Sequence, residues 1–140
     1  MKILIPVDGS GCSTRAARYV ANLADKANSL VVHLINVQPL GDDWMVRRLI
    51  NVSELADLEQ SWGESAIAPA RAVLDAAGVK AENHVVQGEV ASTIVGMAEQ
   101  LGCNQIVMGS HGRTGLTGIL MGSVASKVMH LAKIPVTFIK

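Results

Sequence analysis

Aromatic side chains are nearly missing. Tyr19, Trp44, Trp62 and Phe138 are the whole supply in 140 residues, so a core must be built from Val, Ile, Leu, Ala and Met. Cysteine is equally scarce: Cys12 and Cys103 stand 91 positions apart with no C-x-x-C, which excludes a disulfide framework and gives no zinc-site spacing. Charge is low at 17% and balanced, twelve basic against twelve acidic residues. No segment gathers Lys and Arg as a nucleic-acid groove requires, so nucleic acid is not an expected partner. No apolar run approaches the ~18 residues of a membrane span, and the opening Met-Lys-Ile-Leu-Ile-Pro-Val-Asp turns polar before a signal-peptide core could form. No membrane partner and a cytoplasmic location are expected. What is abundant is aliphatic: hydrophobic residues reach 49% before the 13 glycines are added, too apolar for a disordered chain. The length suits one domain spanning 1–140.

Two periodicities alternate along the chain. Ile3 to Val7 is a short apolar run of the kind that forms a strand buried on both faces. After Asp8-Gly-Ser-Gly, helical spacing runs from Ala16 to Ala27, with Ser13 as the expected N-cap. Leu30 to Val37 predicts a second strand. A second helix is expected from Ser53, its cap, to Ala77, stopped by Gly78 and bent or broken at Gly63 and Pro69. Residues 81–87 predict strand three, Val90 to Leu101 helix three, and Gln105 to Met108 strand four. A last helix begins near Ser123, and Pro135 opens a final strand to Lys140. Strands separated by helices give parallel pairs with right-handed crossovers, so the fold class is α/β: an open five-stranded parallel sheet with helices on both faces. Such sheets bind ligands beyond the carboxyl ends of their strands, where the winding reverses. Two loops are equipped for that place, one after strand one and one after strand four. The connection Gln38 to Asn51, with Leu40, Trp44, Met45, Leu49 and Ile50, is long and apolar and reads as packing on the sheet with some lid character.

The loop after strand four runs Gly109-Ser-His-Gly112-Arg-Thr-Gly115-Leu-Thr-Gly118-Ile-Leu-Met-Gly122-Ser123, five glycines in fifteen positions. Without a Cβ, backbone amides can approach an anion closely, and the next helix adds unpaired N–H groups and a positive end. The competing reading is a plain glycine loop with Ser123 as an ordinary N-cap. Two familiar phosphate loops do not fit: Met121 precedes Gly122-Ser123 with no Walker Lys, and Thr14 stands where a dinucleotide fingerprint needs its third glycine.

The spacing Gly109-x2-Gly112-x9-Gly122-Ser123 resembles the G-2x-G-9x-G-(S/T) signature of ATP-binding universal stress proteins of the UspA superfamily. The likeness extends over nearly the whole chain, through Ile-Leu-Ile-Pro-Val-Asp-Gly-Ser, Val-Val-His-Leu, Gln87-Gly88 and the closing Ile-Pro-Val-Thr-Phe-Ile. It implies a Rossmann-like, adenine nucleotide alpha hydrolase-like sheet of strand order 3-2-1-4-5. It implies ATP, alone or with Mg2+, as the ligand. Asp8 would hold the ribose or adenine side with Pro6 and Val7 beside the base, and Leu34 would offer main-chain hydrogen bonds to adenine. Met108 and Gly109 would line base and ribose, and Gly112, Gly122, Ser123 and Val124 would surround the phosphates. Ala125 stands where the family often has Ser or Thr. The resemblance also implies a homodimer paired through strand 136–140.

His111 and Arg113 flank the phosphate positions; Arg can clamp phosphate bidentately, or either can be a solvent-facing cation. Asp8 alternatively forms an Asx-turn within its own loop. His33, His84 and His130 read as packing or surface residues, and Cys12 as an inert small residue. No metal site and no paired base are assembled in the sequence, so the function expected is nucleotide-dependent regulation rather than fast catalysis. The alternatives are a flavodoxin-like FMN carrier, a nucleotide-free dimeric stress protein and a phospho-receiver, the last lacking an acid at the end of strand three.

Overall fold

Nine elements alternate strictly between strand and helix along the described chain. A computed structural model describes residues 1–24, 29–39, 51–113 and 121–140; positions 40–50 of the expected lid and 114–120 of the glycine loop, including Gly115 and Gly118, lie outside them. The elements are β1 (Lys2–Pro6), α1 (Gly11–Ala24), β2 (Val31–Gln38), α2 (Val52–Ala76), β3 (Ala81–Gln87), α3 (Val90–Gln100), β4 (Gln105–Gly109), α4 (Ser123–Leu131) and β5 (Val136–Ile139). All strand pairs are parallel, and the order is β3-β2-β1-β4-β5. The chain therefore winds one way from β1 to β3 and the other from β4 to β5, with the reversal between β1 and β4.

The central strands alternate their apolar residues between two cores because both sheet faces are covered. Ile3, Ile5, Val32, Leu34 and Val107 face α1 and α2, meeting Ala16, Val20, Ile67 and Leu74. Leu4, Ile35, Ile106 and Met108 face α3 and α4, meeting Ala91, Ile94, Ala98 and Val128. β3 and β5 form the edges, and both are only partly covered.

Three local expectations are corrected. The cap of α1 is Ser10, not Ser13: Ser10 Oγ accepts from Ser13 N at 3.2 Å, and the buried Ser13 donates its own hydroxyl to Ser10 O at 2.9 Å. The cap of α2 is Asn51 rather than Ser53, its side chain accepting from Ser53 N at 3.2 Å. Nor is α2 broken at Gly63 or Pro69; it is one 25-residue helix. Pro69 lies on the solvent face, while Ala66, Ile67, Ala70 and Leu74 hold the helix to the core on either side. Gly63 is there for contact: a Cβ would fall 2.4 Å from Val85 Cγ1 of the edge strand.

Candidate functional site

The reversal point leaves a cleft of about 480 Å³ at the carboxyl ends of β1, β2 and β4, within the range of small-molecule sites. Its floor is Pro6, Val7 and Asp8 from β1, Ile35, Asn36 and Val37 from β2, and Met108 with Gly109 from β4. Val90 and Ile94 of α3 and Ser123, Val124 and Ala125 of α4 supply the opposite wall.

Asp8 forms the Asx-turn, one of its two readings, and it also lines the cleft. Its Oδ1 accepts from Ser10 N at 2.9 Å, an Asx-turn that fixes the carboxylate. Its Oδ2 looks across to Gly112, where a Cβ would lie 2.8 Å away. The two loops thus meet, and only glycine at 112 lets them approach so closely. Behind Gly109 stands Cys12, whose Cβ and Sγ would each lie 3.0 Å from a Cβ there; its thiol contacts Ile139 O at 3.0 Å.

The ends of the glycine loop are tied together, since Gly122 N donates to Ser110 O at 2.8 Å and Ser110 N to Ile139 O at 2.8 Å. Gly122 is the N-cap of α4 and makes no side-chain capping bond, so Ser123 is the first helical residue rather than the cap. The first helical bond is Ser126 N to Gly122 O at 2.9 Å. The N–H groups of Ser123, Val124 and Ala125 precede it, have no intrahelical acceptor and carry the positive end of the helix dipole. His111, its Nδ1 2.9 Å from Ser110 Oγ, and the exposed Arg113 join this side of the cleft. One wall is therefore anionic through Asp8, and the other is made of amides with the Arg113 cation.

Glu89 links the two helices of the wall. It caps α3 by accepting from Ser92 N at 2.9 Å and Ser92 Oγ at 2.7 Å, and it receives Lys127 Nζ of α4 at 3.0 Å. These bonds from the Ser92 side chain, the Ser92 N–H and Lys127 hold its carboxyl down at about 2.

Eleven of the twelve expected site residues line this cleft; Leu34 does not. Leu34 is fully buried between Ile5 and Asn83 in the sheet, and the three residues after it line the cleft instead. Asn36 was missed. It is buried, donates Nδ2 to Val7 O at 2.8 Å and accepts from Gln38 Nε2 at 2.6 Å. A lone amide inside the apolar run Leu34-Ile-Asn-Val37 was the available signal. Ser13 and Ser110, both buried, also line the cleft unannounced.

The model of the universal stress protein family matches residues 1–140. The chain belongs to the universal stress protein family. The family's Universal stress protein MJ0531 of Methanocaldococcus jannaschii is 34% identical to it over 146 residues, covering 99% of this chain and 81% of that protein. The structure of MJ0577, from the same organism, superposes with a TM-score of 0.84 at 31% identity, covering 99% of this chain and 94% of the other. A universal stress protein from Archaeoglobus fulgidus in complex with dAMP shares the fold at a TM-score of 0.72 and 24% identity, covering 100% and 98% of the two chains. Among the described residues no helix is long and apolar enough to cross a membrane.

Proposed function

We propose that this universal stress protein is a regulatory module that binds an adenine nucleotide, with ATP as the preferred ligand. The observation that carries the reading is the two-sided cleft: a fixed carboxylate on β1 opposite the glycine-flanked amides that start α4. The base and ribose rest against Val7, Asp8 and Met108, with main-chain groups of Ile35 to Val37 in reach of adenine. The phosphates lie over Gly112, Gly122, Ser123 and Val124, where N–H groups and the helix end favour negative charge. Arg113 adds a cationic donor at the mouth, and the His111 ring stands beside it.

The cleft fits such a ligand in size and in charge. Its volume of about 480 Å³ accommodates a nucleotide, and glycine at 112 and 122 leaves the backbone amides beside the cleft without a covering Cβ. Among the described lining residues Asp8 is the one carboxylate, and an accompanying Mg2+ would take oxygen ligands from the phosphates and water beside it. The dAMP complex of the Archaeoglobus fulgidus protein supports the reading through the fold they share. Binding acts by biasing the glycine loop, to the extent that ATP prefers one loop arrangement over another; catalysis is no part of the reading. The buried free thiols Cys12 and Cys103 suit a reducing cytoplasm.

Calorimetric titration with ATP, AMP, GTP and FMN tests it. ATP binds with one molecule per chain and more tightly than AMP, because the amides act on the outer phosphates, while GTP and FMN bind at least tenfold more weakly. Saturable FMN binding without ATP binding would overturn the proposal in favour of a flavin carrier.

A further inference from the structure

Along the edge of the sheet, β2 and β3 bring His33 together with Glu82 and His84, which follow it by about fifty residues in sequence. His33 stands opposite Glu82 and Ile35 opposite His84 in the parallel register, so the two-residue period turns His33, Glu82 and His84 to one face. His33 Nδ1 lies 3.0 Å from His84 Nε2 and 3.4 Å from Glu82 Oε2. One ligating atom from each residue falls within 4.8 Å of the other two. His33 is buried, His84 half-buried and Glu82 exposed, so the cluster opens to solvent along the edge strand.

An imidazole nitrogen has one hydrogen or one lone pair, not one for each of two neighbours. A cation seated among the three atoms satisfies all of them together. Metal bonds of about 2.0–2.1 Å at the tetrahedral angle put neighbouring ligand atoms about 3.4 Å apart, close to the two distances seen. Imidazole pairs with a single carboxylate suit Zn2+ and similar divalent ions, whereas Mg2+ and Ca2+ take oxygen ligands.

We infer that His33 Nδ1, His84 Nε2 and the Glu82 carboxylate form a three-ligand site for a divalent transition metal of the Zn2+ type, with a fourth position open to water. Two features set its strength below that of a structural zinc centre. With Nδ1 on the metal, the proton sits on His33 Nε2, which is buried and has no hydrogen-bond partner among the described residues. A missing outer partner weakens such sites by about 10–100-fold. Lys2 also acts on His33 electrostatically, although its ammonium is held by Leu101 O at 2.7 Å. The site is therefore exchangeable, and the sheet stands without metal.

The test is titration of the tag-free, nucleotide-free full chain with Co2+, followed by visible absorption, and then displacement by Zn2+. One Co2+ binds per chain with the strong absorption of four-coordinate geometry, and Zn2+ removes it. His84→Ala and Glu82→Gln, chosen because neither residue is buried, each weaken Zn2+ binding about tenfold or more while circular dichroism stays unchanged. His130→Ala leaves binding as in the wild type. Absence of saturable Co2+ or Zn2+ binding overturns the site, as does equal affinity in the wild type, His84→Ala and Glu82→Gln.

Discussion

Asp8 is tied into a turn while it lines the cleft: one oxygen accepts from Ser10 N, and the other faces Gly112. Replacing Gly112 by Ala puts a methyl 2.8 Å from that second oxygen and forces the loops apart. Because Gly112 is exposed, the melting temperature should hardly move while ATP affinity falls roughly tenfold, about 1.4 kcal/mol; calorimetry beside thermal unfolding separates the two. Asn36 behaves oppositely. Its amide is the side-chain donor to Val7 O, and Asn36→Leu leaves that buried carbonyl unpaired. A loss of about 1–3 kcal/mol in urea unfolding is expected, together with weaker nucleotide binding. Asp8 was legible because it ends a strand and begins a glycine turn. Asn36 was not, because a polar residue in an apolar run does not disclose whether it will be satisfied by backbone or by ligand. Leu34 was assigned by the resemblance through its main chain only; its side chain is core, as its apolar strand implies, and Ile35 to Val37 after it line the cleft.

For the helices, spacing of apolar residues located each element, and the starts of α1 and α2 slipped by two or three residues. Ser13 and Ser53 were natural caps by residue type, but Ser10 stands three residues and Asn51 two residues earlier, and each takes a free N–H group. Pro69 and Gly63 predicted a break in α2 because local preference was weighed without the sheet beneath. Burial of Ile67 and Leu74 outweighs the one hydrogen bond that proline removes, and Gly63 answers to Val85. Gly63→Ala should cost about 1–3 kcal/mol by overpacking. Pairing it with Val85→Ala should recover part of that loss, which a double-mutant cycle in denaturant would measure. The cap of α3 gives a pH signature. Its Glu89 carboxyl lies at about 2 when folded, against 4.5 ordinarily, so its contribution is complete above pH 4.5 and fades as pH falls toward 2. Thermal unfolding of wild type and Glu89→Gln should differ at neutral pH, and the gap should close across that window.

For the molecule as a whole, the strict alternation of strand and helix carried the fold class, and the family signature carried the strand order. Sequence periodicity gives no adjacency, so the meeting of the β1 and β4 loops became visible only in the sheet. The same limit hid the cluster of His33, Glu82 and His84, which parallel register assembles from two strands. β5 is an edge whose four residues are half-buried in one chain, and an open apolar edge invites pairing. A second copy is expected to pair along 136–140; solution scattering at micromolar concentration should report twice the chain mass, and Thr137→Pro should return it to the monomer. Phosphate held by the amides that open α4 is tested most directly by the ATP affinity of the wild type against Gly122→Val in calorimetry. A Cβ at 122 already touches Ser110 O at 3.4 Å and His111 Cα at 3.5 Å, and the two methyls of valine beyond it must be housed between the loop and the helix start, so the predicted result is a loss of tenfold or more with the helix content unchanged. Equal affinity in the two proteins would contradict it.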